Sequence, residues 1–403
     1  MTIRPVLKLK KLQDMGISKG SMVLVRVDYN VPIKDGRVSD DTRIRETEKT
    51  IKYLLTRDAK IVLISHLGRP KGKFDPKYSL KSLREDVERI MAAKTHFVED
   101  CIGPEVEKAK ARLGIGEILL CENLRFHPEE EENDEGFARE LAKGCDYFVQ
   151  DAFGAIHRAH ASTTAITKYL PCCIGFLLQK ELEYLEKIMT NPSKPFVAVI
   201  GGAKVSDKID VLMSLLDRVD TLIIGGAMAY TFLKAQDVNV GNSVVESDKI
   251  DEAKKIVLKA FKNGVELILP ADHLVVKEIK DDAQTQTTQS MAIPNGWIGV
   301  DIGERSISIF SEKILSAKTI FWNGPVGIFE IDRFAKGTIA LAKAVAEATK
   351  NGAVSVLGGG DTLSALKKSG VKSDEISHCS TGGGASLEFV EGKILPGLEA
   401  LSR

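Results

Sequence analysis

Short apolar runs rich in β-branched residues alternate with longer stretches of helical periodicity along almost the whole chain. Parallel strands need a crossover connection, usually a helix, and strands covered on both faces are apolar throughout. The alternation therefore predicts parallel sheets with helices on both faces. The predicted strands lie at 23–27, 61–65, 117–121, 147–150, 196–200, 221–224, 265–269, 319–322 and 354–357.

A break in this alternation near the middle of the chain predicts a domain junction. The chain has 403 residues, which is enough for two or three domains. Residues 175–189 carry apolar side chains at helical spacing, and Asn191-Pro192 then acts as a stop signal. The predicted class is α/β, with a first domain over 1–172, a connecting helix over 173–190, a second domain over 191–385 and a C-terminal segment over 386–403.

Composition excludes several classes of function. Lysine plus arginine equals aspartate plus glutamate, at 56 residues each, so the chain has no overall positive charge with which to bind nucleic acid or an anionic membrane. No stretch approaches the roughly eighteen apolar residues of a membrane span, and the N-terminal Met-Thr-Ile-Arg-Pro shows no targeting segment. We therefore expect a cytoplasmic protein that binds neither nucleic acid nor membranes.

The six cysteines are scattered without a C-x-x-C pair, in a chain too long to need disulfides. We predict that they are reduced thiols. The adjacent Cys172 and Cys173 are either a redox pair or, as we favour, two small apolar residues that pack before a helix.

Cationic and hydrogen-bonding side chains cluster after several apolar runs in the first half. They are Asp28, Asn30, Arg43, His66, Arg69, Arg125 and Arg158, with His157 and His160 close by in the sequence. Taken singly, such an arginine is more often part of a surface ion pair. Arg69, Arg125 and Arg158, however, each follow a predicted parallel strand, so the fold would bring them to one sheet edge. Converging guanidinium groups bind phosphate and carboxylate, and Asp28 and Asn30 suit a hydroxyl. The predicted ligand is a small polyanion with a hydroxyl.

Glycine-rich turns follow strands in the second half, which favours this half as the nucleotide site because such turns let backbone amides approach phosphates. Gly201-Gly202 precedes Lys204 and Lys208, which lie four residues apart. We predict that the two lysines share one face of a helix and bind polyphosphate. The alternative is a pair of solvated surface lysines.

Two further loops in this half have nucleotide-binding chemistry. The turn Gly358-Gly359-Gly360-Asp361-Thr362 offers backbone amides, a hydroxyl and a carboxylate that suits Mg²⁺ on a nucleotide. Another loop carries Asn323 and Glu330, and Glu330 either accepts from ribose hydroxyls or is an ordinary exposed acid. Neither the Walker A pattern nor the dinucleotide fingerprint is present. The acidic run 129–132 is predicted to be a solvated loop or helix start rather than a cation site.

Eight blocks of the sequence, in this order, resemble the phosphoglycerate kinase family. They are Arg26-Val-Asp-Tyr-Asn-Val-Pro32, Ser65-His-Leu-Gly-Arg-Pro70, Glu122-Asn-Leu-Arg-Phe126, Asp151-Ala-Phe-Gly154 with His157-Arg-Ala-His160, Gly201-Gly-Ala-Lys-Val205, Trp322-Asn-Gly-Pro-Val-Gly327, Gly358-Gly-Gly-Asp-Thr362 and Ser380-Thr-Gly-Gly-Gly-Ala385. Tyr29 replaces the family's usual phenylalanine, and Ala155-Ile156 replaces its commoner threonine-alanine. Neither departure removes a charge.

The resemblance implies two doubly wound, Rossmann-like parallel-sheet lobes joined by an interdomain helix, with the segment 386–403 expected to pack back toward the first domain. It implies 3-phosphoglycerate or 1,3-bisphosphoglycerate on the first lobe and Mg²⁺ with ATP or ADP on the second, in an expected monomer. The implied acid-binding residues are Asp28, Asn30, Arg43, His66, Arg69, Arg125 and Arg158. The implied nucleotide-binding residues are Lys204, Lys208, Gly299, Asn323, Glu330, Gly359, Gly360, Asp361 and Thr362, with Asp361 on the metal.

The reaction that the resemblance implies needs charge stabilisation rather than a general base, because the accepting carboxylate is ionised at neutral pH. Arg43, Lys204, Lys208 and Gly383 are the expected catalytic positions, and a hinge near 175–189 would close the lobes. The nearest rival is another carboxylate kinase with different anion contacts in the first lobe. A non-catalytic relative is a second rival, which the presence of Arg43, Lys204 and Asp361 disfavours.

Overall fold

The computed structural model describes residues 8–402. The prediction that the N-terminus carries no targeting segment concerns residues 1–7 in the main and lies outside the described residues. The chain divides into two compact units, one running through Leu182 and resuming at Ile394, the other spanning Glu183–Lys393. No helix within residues 8–402 combines the length and the apolar character that crossing a bilayer requires.

The first unit is built on a six-stranded parallel sheet in the order β5-β6-β4-β1-β7-β8. Its central strands are buried along almost their whole length, and a core of aliphatic side chains packs against them. A short antiparallel pair, β2 with β3, lies outside this sheet. The strands are β1 (Met22–Arg26), β2 (Ile33–Lys34), β3 (Arg37–Val38), β4 (Lys60–Ile64), β5 (Thr95–Val98), β6 (Ile118–Cys121), β7 (Tyr147–Gln150) and β8 (Cys172–Ile174).

The second unit has its own six-stranded parallel sheet, in the order β11-β10-β9-β15-β16-β17. A smaller antiparallel sheet, in the order β13-β12-β14, has a separate apolar cluster around Phe334. The strands are β9 (Phe196–Ile200), β10 (Thr221–Ile224), β11 (Glu266–Ile268), β12 (His273–Val276), β13 (Gln286–Thr287), β14 (Ile298–Ile302), β15 (Thr319–Asn323), β16 (Val354–Gly358) and β17 (His378–Cys379).

Helices connect most of the parallel strands, as the crossover rule requires. The α-helices are α1 (Thr42–Glu46), α2 (Glu48–Thr56), α3 (Arg84–Met91), α4 (Pro104–Arg112), α5 (Pro128–Glu131), α6 (Glu135–Ala142), α7 (Phe176–Thr190), α8 (Ile209–Leu215), α9 (Met228–Ala235), α10 (Ile250–Lys262), α11 (Glu304–Ser316), α12 (Lys336–Lys350), α13 (Gly360–Ser369), α14 (Gly384–Glu391) and α15 (Pro396–Leu401). Helix α7 carries the chain from the first unit into the second, and α15 lies in the first unit, where Gly397 N donates to Ile156 O at 3.0 Å.

The predicted fold class is confirmed, and each of the nine predicted strands corresponds to a strand of one of the two parallel sheets. The prediction missed β5, β8 and β17, and it missed the small antiparallel sheet. These strands are only two to five residues long, and several carry polar or cysteine side chains. Such short segments lack the apolar run that would identify a buried strand from the sequence. Cys172 and Cys173 lie in β8 and are free thiols, as are the other four cysteines.

Candidate functional site

In the first unit, polar side chains follow the ends of four parallel strands and lie at one edge of the sheet. Asp28 follows β1, His66 follows β4, Arg125 follows β6 and Arg158 follows β7. Because these strands are parallel, their carboxyl ends share an edge, and the charges of Arg125 and Arg158 act on each other there. The sheet therefore assembles in space a set of groups spread over 131 residues of sequence, from 28 to 158.

Asp28 and Asn30 connect the loop after β1 to neighbouring segments of this edge. An Asp28 oxygen accepts from Arg43 Nη1 at 2.7 Å, which ties α1 to the loop after β1. The Asn30 side chain is exposed at its tip, and its Oδ1 accepts from Gly68 N at 2.9 Å. Gly68 has φ +62°, and an added Cβ there would lie 2.3 Å from the Tyr78 ring, so no other residue fits without movement. The loop after β4, which also carries the exposed Arg69, is thus held against Asn30.

Arg26, which sequence reasoning left out of the site, lies beneath it. The guanidinium is fully buried at the end of β1, and its Nη2 lies 3.0 Å from His66 Nδ1. Its Nε donates to Ser162 Oγ at 2.8 Å. The available signal was the position of Arg26 at the end of an apolar run, because an arginine inside an apolar strand must find partners when it is buried.

Glu130 is the second residue that sequence reasoning missed. The prediction of a solvated acidic run is wrong at this position, because Glu130 is 0% exposed whereas Glu131 and Glu132 are exposed. Its carboxylate accepts from Ser162 N at 3.0 Å and from Ser162 Oγ at 2.6 Å. The physical reason is the tertiary structure. The run lies in the short helix α5, and a helix of one turn points only some of its side chains inward. Here the inward side chain is that of Glu130, which packs against a cationic cluster.

Mutual repulsion and burial keep the histidines of this edge neutral. Burial, followed by the charges of Arg125 and Arg26, lowers the pKa of His160 to about 3. Burial and the same arginines hold the pKa of His66 well below its usual value. Burial first and Arg26 next lower the pKa of Arg125 to about 10, and Arg125 Nη1 donates to Gly68 O at 2.9 Å. The positive charge of this edge at neutral pH therefore comes from its arginines and not from its histidines.

In the second unit, a cavity of about 450 Å³ opens at the carboxyl ends of β9, β15 and β16. The lining residues are Gly201, Gly202, Ala203, Lys204, Asp207, Lys208, Asn323, Gly324, Pro325, Gly359, Gly360, Asp361, Thr362, Gly383, Gly384 and Leu387. Seven of these are glycines, and backbone therefore forms much of the wall. Such a wall can present amide N–H groups to phosphate oxygens.

Close backbone approach explains why glycine is required at two of these positions. A Cβ on Gly201 would lie 2.1 Å from Pro325 O, and one on Gly324 would lie 2.4 Å from Gly201 O. Gly324 also has φ +94°, a conformation that other residues rarely adopt. The turns after β9 and β15 are thus in direct backbone contact, which fixes the two sides of the cavity relative to each other.

The two lysines of the first turn do not share a helix face as predicted. Helix α8 begins at Ile209, after both of them. The intervening bend is held by the Glu246 carboxylate, which accepts from Ser206 N at 3.1 Å and from Ser206 Oγ at 2.6 Å. Lys204 is exposed on the cavity, whereas Lys208 is partly buried and donates to Asn323 Oδ1. Burial lowers the pKa of Lys208, and Asp207 and Asp361 oppose that shift.

Asn323 and Thr362 bond the cavity wall together. Asn323 Nδ2 donates to Gly358 O at 2.7 Å. Thr362 Oγ1 donates to Gly358 O at 2.8 Å and accepts from Gly324 N at 2.7 Å. The hydroxyl of Thr362 is therefore used within the protein, and Asp361 is the exposed acid of that turn.

Two predicted nucleotide residues lie outside the cavity lining. Gly299 is buried in β14, where its N donates to Ser243 Oγ at 2.9 Å and a Cβ would lie 2.2 Å from Tyr230 Oη. Glu330 is exposed in the loop after β15, and its carbonyl accepts from Lys368 Nζ at 2.9 Å. Neither residue is among those that line the cavity with Lys204 and Lys208.

The donor chemistry of the cavity suits a magnesium nucleotide. Mg²⁺ is commonly held by one or two carboxylates, with phosphate oxygens and water completing its shell. Asp361 is an exposed carboxylate in the first turn of α13, on the same cavity as Lys204 and Lys208. Asp361 therefore offers one hard oxygen ligand on the cavity that the two lysines also line.

Comparisons with known proteins agree with each other. The family model for phosphoglycerate kinase matches residues 12–393. The chain is 55% identical over 395 residues to the phosphoglycerate kinase of Elusimicrobium minutum, covering 98% of this chain and 99% of that one. It is 52% identical over 391 residues to that of Moorella thermoacetica, covering 97% and 98%. The solved phosphoglycerate kinase of Coxiella burnetii aligns with a TM-score of 0.86 at 40% identity over 98% of each chain.

Proposed function

We propose, from the premise that this chain belongs to the phosphoglycerate kinase family, that its two units each bind one of the two substrates. The enzyme transfers a phosphoryl group reversibly between 1,3-bisphosphoglycerate and ADP, giving 3-phosphoglycerate and ATP, a step of glycolysis.

The acid substrate is assigned to the positive edge of the first unit. The observation that carries this assignment is the convergence of arginines and neutral histidines at the carboxyl ends of β1, β4, β6 and β7. Arg69, Arg125 and Arg158 would bind the phosphate and carboxylate, because a guanidinium matches both in forked geometry. Asp28 and Asn30 would receive the hydroxyl, and His66 would donate a hydrogen bond.

The nucleotide is assigned to the glycine-walled cavity of the second unit. Lys208 and the backbone at Gly383 would hold phosphate oxygens, since Gly383 caps the start of α14 on that cavity. Asp361 would hold Mg²⁺, which neutralises phosphate charge when bound. Gly299 and Glu330 would extend the site toward the base and ribose, beyond the residues that line the cavity.

Catalysis is assigned to charge stabilisation and positioning. The accepting carboxylate is ionised at neutral pH, so no residue needs to remove a proton. The charge that spreads over the transferring group must instead be balanced by fixed cations. We assign this to Arg43 of the first unit and Lys204 of the second. Arg43 is partly exposed and pairs with Asp28, and Lys204 is exposed on the cavity.

In-line transfer requires the two ligands to meet, and the reactive acyl phosphate must be kept from water. We therefore assign a closing motion to the segment around α7, where the chain passes from one unit to the other. Small-angle X-ray scattering should show a smaller radius of gyration with both substrates than with either alone. An unchanged radius would contradict this assignment.

One assay tests the assignment of substrates. The native chain and Lys204→Ala are compared in Mg²⁺-dependent ADP formation from ATP, with 3-phosphoglycerate or acetate as acceptor. We expect turnover with 3-phosphoglycerate only, loss of turnover after chelation, and a large loss in Lys204→Ala. Turnover on acetate in place of 3-phosphoglycerate would instead support a different carboxylate kinase.

We also propose a cytoplasmic monomer. The six free thiols support a reducing compartment. Light scattering coupled to gel filtration should give a mass near the 44.0 kDa of one chain, and a doubled mass would contradict the monomer.

A further inference from the structure

A chain of hydrogen bonds runs beneath the positive edge and ends at His66. Glu130 accepts from Ser162 Oγ at 2.6 Å, Ser162 Oγ accepts from Arg26 Nε at 2.8 Å, and Arg26 Nη2 faces His66 Nδ1 at 3.0 Å. All four residues are buried, with exposed fractions between 0 and 5%. Water therefore does not compete for these bonds, and each donor and acceptor has a fixed role.

The direction of every bond in this chain can be assigned. A guanidinium has only donors, so Arg26 must donate both to Ser162 Oγ and to His66 Nδ1. The Ser162 hydroxyl is then free to donate to the carboxylate, which can only accept when ionised. Asp28 Oδ1 lies 3.9 Å from His66 Nδ1, which is too far for a competing hydrogen bond. His66 Nδ1 is left as an acceptor.

We propose that Glu130 and Ser162 are positioning residues that act through Arg26 to hold His66 as one neutral tautomer, with its proton on Nε2. This inference rests on the proposed acid site. An Nε2–H group donates to a phosphate or carboxylate oxygen, whereas the other tautomer would turn a lone pair toward the anion. The surrounding charges of Arg26, Arg43 and Arg125 oppose a second proton on the ring. His66 therefore offers the substrate a hydrogen bond without adding a titrating charge.

The direct test is nitrogen-15 NMR of the full-length enzyme labelled at histidine, with His66→Gln used to assign the signals. We expect His66 Nε2 at the protonated position and Nδ1 at the unprotonated one, unchanged between pH 8 and pH 6. A proton on Nδ1, or exchange between tautomers, would overturn the proposal. The result does not depend on any substrate. If the tautomer is fixed but 3-phosphoglycerate leaves the His66 signals unmoved, the assignment of the acid site fails instead.

Three variants test whether Ser162 positions His66 or only supports the local structure. Ser162→Ala removes the hydroxyl that links Arg26 to Glu130, and it should release the His66 tautomer and raise KM for 3-phosphoglycerate about tenfold while leaving KM for ATP unchanged. Ser162→Thr keeps the hydroxyl and should restore both readouts. Glu132→Gln removes an exposed charge of the same acidic run and should change neither. A raised KM with an unchanged tautomer would show that Ser162 acts only through structure.

Discussion

The two candidate sites handle charge in opposite ways. In the first unit, Arg26, Arg125 and Glu130 are buried and hydrogen-bonded within the protein. In the second, Lys204 and Asp361 are exposed, and much of the cavity wall is glycine backbone. The first site is therefore shaped by side chains that support one another, and the second by backbone that only glycine can form.

This difference has an energetic origin. Burying a charge is unfavourable unless it is paired, so the arginines of the first site are held by partners before any ligand arrives. Backbone amides need no such pairing, but close approach of two turns requires the absence of Cβ atoms. Substitution of an exposed side chain such as Lys204 should therefore act mainly on function, whereas an added Cβ at a close backbone contact of the second site should act mainly on folding.

The largest expected effect is at the partly exposed Arg43 of the first site. Arg43→Ala should lower kcat by about 10³-fold or more and change nucleotide binding little, because an arginine that balances transition-state charge contributes on that scale. Steady-state kinetics in both directions measure the effect. Arg45→Ala, which removes an exposed arginine paired with Asp41 at 2.9 Å, is the matched control and should stay within about twofold. Equal losses in turnover and nucleotide affinity would show that Arg43 only shapes the site.

The backbone of the second site gives the next largest effect. Gly201→Ala should lower the stability of the second unit by about 2–4 kcal/mol, because its Cβ would lie 2.1 Å from Pro325 O and the backbone must shift. Thermal unfolding followed by hydrogen exchange of second-unit peptides measures it. Gly360→Ala is the control, since its Cβ would meet nothing within 4 Å. A Gly201→Ala variant as stable as the native chain would contradict the claim that close backbone contact in the second site requires glycine.

A smaller effect is expected at Lys208, the partly buried lysine of the cavity. Lys208→Met keeps the length of the side chain but removes its charge and its bond to Asn323, and it should raise KM for ATP by about 10- to 100-fold. KM for 3-phosphoglycerate should remain within about twofold. Lys234→Met, on the exposed face of α9, is the control and should alter neither constant. A parallel rise in both KM values would mean that the two sites are not separate.

The sequence allowed the strands and the glycine turns to be predicted because both depend on local rules. A buried parallel strand is apolar throughout, and a tight turn at its end selects glycine. Glu130 could not be predicted in the same way, since its partner Ser162 is 32 residues away and four successive glutamates resemble a solvated segment. The start of α8 was misplaced because Glu246 holds the preceding bend from 40 residues away. Tertiary partners, rather than local pattern, decided both cases.

The smallest expected effect is on the pH dependence of folding stability, and it arises at His160 of the first unit. Burial and neighbouring arginines lower the pKa of His160 to about 3, whereas an unfolded histidine titrates near ~6.5. Between these values the unfolded chain binds more protons than the folded one, so this residue makes stability fall as pH is lowered from 7. Asp151, whose pKa burial raises to about 7, acts in the opposite direction. The contribution of His160 is therefore measured as the difference in pH-dependent stability between a His160 variant and the native chain.

His160→Gln should reduce the loss of melting temperature between pH 7 and pH 5 by a few degrees relative to the native chain. His96→Gln, which removes a histidine whose side chain is 41% exposed beside Glu117, is the control and should leave that loss in place. Differential scanning calorimetry at the two pH values gives both results. An identical loss in His160→Gln and the native chain would mean that His160 takes up a proton within the folded first unit. The first site would then gain positive charge on acidification, which the neutral histidines of the native edge prevent.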